Sequence, residues 1–257
     1  MTYLFSAAGR AAFHAFVTGS TLYAFDLDGT LAPIVDEPAG IMIQEEVQQH
    51  LRKLDRLAPV AVITGRARAD ALPHLGFSPR YLVGNHGAEG LPGGEKSEGG
   101  FVRLCHDWEE QLRTLLPNAA SIGIVTENKG ATLSLHYRNA PDRDMVQRDI
   151  LAAVSRLDPL PRRVSGKFVE NLVPREALHK GEALLRVMEQ SGCQRALFVG
   201  DDVTDEDVFR LENNNILGIR VGMDTGSSAN LFIHEQHEIG LLLAEIIAAI
   251  EALAAKN

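Results

Sequence analysis

Two aspartates two residues apart, Asp26 and Asp28, close an apolar run at residues 22–27 that reads as a buried strand. Carboxylates at the carboxyl end of such a strand lie where open α/β sheets bind their ligands. A strand-to-turn junction with two solvated acids would have the same local sequence, so the pair needs company. Three further segments supply it. Thr64 ends a second apolar run at 59–64 with Arg66 just after it, His179-Lys180-Gly181 opens a helical segment, and Asp201, Asp202 and Asp205 follow a third run at 195–200. The carboxylates are hard oxygen ligands of the kind Mg2+ prefers. Thr64 and Lys180 are donors suited to the nonbridging oxygens of a phosphoryl group. A carboxylate beside such a cation can attack phosphorus and carry the phosphoryl group covalently.

Hydrophobic spacing marks the elements that must position these residues. Residues 22–27, 59–64, 80–84, 195–200 and 216–221 are short apolar runs, and helical spacing marks 44–57, 181–190 and 205–212. Continuous apolar strands alternating with helices predict a parallel sheet covered on both faces. The middle of the chain differs. After the glycine-rich residues 90–100 comes a helix at 104–116, then strands at 122–126 and 132–138 that flank a hairpin signal. A helix at 141–157 and strand-like residues 162–173 follow. The expectation is an α/β, Rossmann-like core of residues 1–97 and 175–257 with an inserted α+β cap at 98–174.

Composition narrows the function classes. Hydrophobic residues make up 45% of the chain and charged ones 23%, a globular balance. The formal net charge is −9, which excludes a whole-molecule basic footprint for nucleic acid or an anionic membrane. Cys105 and Cys193 stand far apart in no ligand pattern, so a disulfide framework is not expected and a reducing cytoplasm is. Arg10 and His14 interrupt the apolar start, which reads as a first helix and not a signal peptide. Glu245 and Glu251 likewise break residues 239–255, a terminal helix and not a membrane span.

The stations DLDGTLAPI, ITGR, GNHGAE, ENKGATLSLHYR, HKGEAL and GDDVTDEDVF resemble the haloacid dehalogenase superfamily of phosphatases. Within it the chain is similar to the trehalose-6-phosphate phosphatases, over residues 23–221. That resemblance implies the superfamily's Rossmannoid core and cap, with Asp26 as nucleophile and Asp28 as general acid, then base. An alkoxide is a poor leaving group, so Asp28 would be protonated while Asp26 is ionised. Thr64 and Lys180 would hold the phosphoryl group, with Arg66 near it. The implied Mg2+ ligands are Asp26, the Asp28 carbonyl and Asp201, with Asp202 or Asp205 as a further ligand or a support for one. The implied partner is a small sugar phosphate, with no nucleic acid or membrane; the oligomeric state stays open, and a monomer is compatible with the sequence.

In the expected cap, Glu127, Lys129, Arg138 and Lys167 match positions where the family contacts its disaccharide. One departure stands out: Asn171 falls where the family's pattern has a glutamate, and Glu170 comes one place early. In a strand one place means the opposite face. Two alternatives stay open, a phosphatase for another sugar phosphate such as that of sucrose or mannosylglycerate, and a sugar-phosphate-sensing regulator. His86 stays undecided between structural hydrogen bonding and substrate contact. Trp108 and Phe101 are expected to pack the cap, and Arg162-Arg163 to be solvated.

Overall fold

The computed structural model describes residues 1–35 and 40–255. The chain opens with β1 (Thr2–Tyr3), α1 (Ala7–His14), β2 (Leu22–Phe25), α2 (Glu45–Leu57), β3 (Val60–Ile63), α3 (Arg68–Leu75) and β4 (Tyr81–Val83). Next come α4 (Glu95–Leu115), β5 (Val125–Asn128), β6 (Leu133–His136), α5 (Arg143–Val154), β7 (Arg162–Gly166) and β8 (Val169–Val173). The last part holds α6 (Lys180–Ser191), β9 (Ala196–Gly200), α7 (Glu206–Phe209), β10 (Ile216–Val221), β11 (Leu231–Ile233) and α8 (Ile239–Ala254). Two compact units result, Met1–Gly87 with His179–Asn257, and Ala88–Leu178. The second unit takes in residues on both sides of the expected 98–174.

The first unit is built on a seven-stranded parallel sheet in the order β1-β11-β10-β9-β2-β3-β4. Every residue of β2, β3 and β9 is buried, which explains their continuous apolar sequences. Phe25 lies in register with both Val62 and Val199. The carboxyl ends of β2, β3 and β9 therefore meet at one edge, and the next residues along them include Asp26, Thr64 and Asp201. Helix α2 buries Val47, Leu51 and Leu54, and α8 buries Leu242, Leu243, Ile246 and Ile250 at the spacing of one helix face. Both stripes join a core with Tyr23, Phe25 and Val62. Among the described residues no helix is long and apolar enough to cross a membrane.

The second unit has a four-stranded antiparallel sheet in the order β5-β6-β8-β7. Leu133, Leu135 and Leu172 pack with Cys105, Trp108 and Leu112 of α4 and with Val146, Ile150 and Val154 of α5. The alternation of a strand then turns Ser134 and Asn171 to the other face.

Several elements depart from the expectations. Helix α4 starts at Glu95 and includes Gly99 and Gly100, which the glycine-rich composition marked as loop. Helical glycine costs about 1 kcal/mol relative to alanine, and burial of Cys105, Trp108 and Leu112 further along the helix offsets it. Residues 162–173 form a hairpin and not one strand, turning at Lys167-Phe168, where Phe168 has φ 62°. The helix expected at 205–212 ends at Phe209. Strands β1 and β11, and α3 with Pro73 inside it, were not expected.

Trp108 is fully buried and donates its indole N–H to the Pro159 carbonyl at 2.7 Å. Trp108→Ala should lower stability by about 3–5 kcal/mol. Urea unfolding of the intact chain followed by circular dichroism reads this, and an unchanged midpoint would contradict the packing.

Candidate active site

Lys180 is the first residue of α6, and its side chain is 2% exposed. His179 caps that helix by accepting from the Gly181 amide at 3.1 Å, while Glu182 accepts from the His179 amide at 3.1 Å. A lone cation is unfavourable at the positive end of a helix, so Lys180 needs acids around it. Its Nζ lies 3.1 Å from Asp26 Oδ1 and donates to Asp205 Oδ1 at 2.8 Å. Asp205, fully buried, uses its other oxygen to accept from the Asp201 and Asp202 amides at 2.8 and 2.9 Å. One side chain thus fixes both the ammonium and the loop after β9.

Asp26, Asp201 and Asp205 each place a carboxylate oxygen within 4.8 Å of the others. Thr30 Oγ1 donates to Asp201 Oδ1 at 3.0 Å and holds it toward the group. Gly29 has φ 82°, and a Cβ there would strike the Asp201 carboxylate, so only glycine fits. Burial, with Asp205 and Asp201 adding to it, pushes the Asp26 pKa well above the usual carboxylate value although Lys180 opposes this. Burial and then Asp205 push Asp201 up to about 7. Lys180 stays charged: burial works against it, but Asp205 and Asp26 outweigh burial. Two buried carboxylates and the half-buried Asp201 gather around one ammonium, and an oxygen-only donor set fits a hard divalent cation such as Mg2+.

Asp28 and Arg66 are paired directly with each other. Arg66 Nε and Nη2 each donate to one Asp28 oxygen at 2.8 Å, and Nη1 donates to Asp70 at 2.7 Å. Arg66 is therefore the partner of Asp28 in this arrangement, through two parallel N–H···O bonds. Burial disfavours the guanidinium charge, but Asp28 and then Asp70 more than restore it. Thr64, fully buried, accepts from the Arg66 amide at 3.2 Å through Oγ1. Asp202 does not join the cluster: it is exposed, and its carboxylate caps the following turn by accepting from the Val203 amide at 2.6 Å. The ring of His86 packs against Gly65, where a Cβ would collide with it.

In the second unit, register puts Glu127 opposite Ser134, Ser134 opposite Asn171, and Asn171 opposite Val164. These residues form one row on the face turned away from α4 and α5. Asn171 accepts from the Ser134 hydroxyl at 2.6 Å and donates to the Val164 carbonyl at 3.0 Å. Glu170 lies on the helix-packed face, 1% exposed, accepting from Ser165 at 2.7 Å and Gln147 at 3.3 Å. It cannot stand in for a glutamate at 171. Glu127 pairs with His136 at 2.8 Å and Lys129 at 3.7 Å. His136 and then Lys129 lower its pKa against the effect of burial. Arg138 follows β6, and Lys167 is exposed in the turn between β7 and β8. Neither belongs to the row.

Sequence reasoning missed Asp70, His136 and Ser134 as partners of the expected residues. Asp70 carried a signal, its four-residue spacing from Arg66, which lies just before α3. His136 and Ser134 become visible only once the hairpin register is known.

Protons and a cation compete for the same oxygens. Above about pH 7 Asp201 is ionised and below it carries a proton, so Mg2+ affinity should fall on going from about pH 8 to about pH 6. Calorimetry of the intact chain checks this, and an affinity independent of pH would contradict the assignment.

The trehalose-phosphatase family model matches residues 24–232. Among relatives, an uncharacterized glycosyl hydrolase of Mycobacterium tuberculosis is 34% identical over 72% of the chain, and the chain spans 15% of its length. The probable trehalose-phosphate phosphatase 9 of Oryza sativa is 30% identical over 88% of the chain and 70% of its own length. The trehalose-6-phosphate phosphatase of Escherichia coli is 31% identical over 79% of the chain and 77% of its own. The C-terminal domain of the C. albicans trehalose-6-phosphate phosphatase shares the fold, with a TM-score of 0.73 and 20% identity over 95% of this chain and 97% of that one. A match that runs through β2, β3, the hairpin, α6 and β9 covers every station described above. The chain belongs to the trehalose-phosphatase family.

Proposed function

We propose that the protein hydrolyses trehalose 6-phosphate to trehalose and inorganic phosphate through an aspartyl phosphate on Asp26. The observation that carries this reading is the buried group of Asp26, Lys180 and Asp205, with the half-buried Asp201 beside it at the sheet edge, in a chain of this family. Asp26 attacks phosphorus, the bond from phosphorus to the sugar oxygen breaks, and Asp28 gives its proton to the departing oxygen. Water then attacks phosphorus, Asp28 takes the proton, and the bond to Asp26 breaks to restore the carboxylate. Lys180 and Thr64 hold the nonbridging oxygens. Asp26, Asp201 and the Asp28 carbonyl would hold Mg2+, whose positive charge opposes the charge growing on those oxygens.

The pairing of Asp28 with Arg66 is the form that acts as base. To act as acid, Asp28 takes up a proton and gives up one strong attraction, while Asp70 retains Arg66. Arg66 is then available to the phosphoryl group. The second unit serves as the cap that reads the disaccharide through Glu127, Lys129, Arg138, Lys167 and Asn171. Because Ser134 and Val164 already engage Asn171, it offers the sugar a neutral amide where a carboxylate would bring charge.

Asp26→Asn should abolish phosphate release and Asp28→Asn should slow it by about 10²–10⁴-fold, measured with trehalose 6-phosphate and Mg2+. Turnover within a few-fold of wild type in either variant would overturn that residue's role. Trehalose 6-phosphate should also show a far higher kcat/KM than glucose 6-phosphate, and Lys129→Ala should narrow the gap by about 10-fold or more. Equal values for the two sugars in the wild type would leave a phosphatase without disaccharide preference.

A further inference from the structure

The turn that carries Asp28 is braced by a residue from the far end of the chain. Within the turn, Gly29 N donates to the Ala32 carbonyl at 2.8 Å, and Ala32 N donates to the Leu27 carbonyl at 2.9 Å. Thr30 and Leu31 are fully buried and their carbonyls take no part in these two bonds, so they need donors. Gln236 supplies them: its Nε2 donates to Thr30 O at 3.1 Å and to Leu31 O at 3.2 Å. A side-chain amide carries two hydrogens on one nitrogen, which matches two successive carbonyls. Gln236 begins a short turn between β11 and α8, and that turn is itself anchored. Glu238 accepts from the Tyr3 hydroxyl at 2.6 Å and from the His234 amide at 2.5 Å.

The braced residues touch the chemistry on both sides. Thr30 lies two residues after Asp28, and its hydroxyl holds Asp201. We infer that Gln236 is a positioning residue that sets Asp28 for proton transfer by fixing the Thr30 and Leu31 carbonyls. The inference rests on the reading of Asp28 as acid and base. No motif of the family resemblance includes Gln236, and its side-chain hydrogen bonds go to the Thr30 and Leu31 carbonyls. Its action is through the backbone alone.

Two measurements on the intact protein test this. In Gln236→Ala, hydrogen exchange at the Gly29, Thr30 and Ala32 amides should speed up by about 10-fold or more, with the amides of β2, β3 and β9 unchanged. Unchanged exchange in the turn overturns the brace whatever the enzyme acts on. In a double-mutant cycle, Gln236→Ala should lower kcat for trehalose 6-phosphate by about 10-fold or more with little change in KM. In the Asp28→Asn background it should cost less than about 2-fold. An equal loss in both backgrounds marks a general structural role and overturns the inference. If Asp28→Asn alone changes nothing, the acid–base reading fails instead, and the exchange data still decide the brace. Gln236→Met, which keeps the side-chain length, replaces alanine if that variant unfolds.

Discussion

A buried ammonium between two buried carboxylates is the constraint on which the rest depends. Lys180 can keep its charge in the interior only because Asp26 and Asp205 lie within 3.1 Å of it. Its place at the start of α6 adds the helix's positive end and makes those acids more necessary. Asp205 can serve only if the loop after β9 folds back on it, which its second oxygen secures through the Asp201 and Asp202 amides. Gly200 belongs to the same requirement, since a Cβ there would collide with the Asp205 side chain. Parallel pairing of β2 with β9 then brings Asp26 to the same place.

Charge sets the character of the site at two scales. The whole chain carries −9, which repels an anionic substrate at long range. Locally, Lys180 and Arg66 are both tied to acids, so neither presents a naked cation. The excess carboxylates call for a divalent ion, and a phosphoryl group would meet that ion together with Lys180. Arg66 divides its guanidinium between two acids, Asp28 and Asp70.

Much of this was legible in the sequence, for identifiable reasons. Strands β2, β3 and β9 are buried on both faces, so each is a continuous apolar run that stops where a charged or hydroxyl residue begins. That pattern located Asp26, Thr64 and Asp201 without knowledge of the fold. The one-place offset at Glu170 and Asn171 was legible too, because alternation along a strand is strict. Other features depend on tertiary contacts. The two-residue strand β1 is too short to have a period, and Gly99 and Gly100 are helical because of the burial of Trp108 on the same helix. The turn that splits residues 162–173 into a hairpin needs Phe168 in a left-handed conformation, for which its side chain gives no cue. Which acid Arg66 chooses, and which amide braces the turn after Asp28, follow from packing across more than two hundred residues in the case of Gln236.

The central claim is that Asp26 becomes covalently phosphorylated during turnover. Wild-type protein mixed with Mg2+ and trehalose 6-phosphate, quenched in acid and treated with borohydride, would convert an aspartyl phosphate to homoserine, which peptide sequencing by mass spectrometry locates. The account predicts homoserine at position 26 and at no other aspartate, and none when substrate is omitted. Homoserine at 28, 201 or 205, or none at all while phosphate is released, would contradict it.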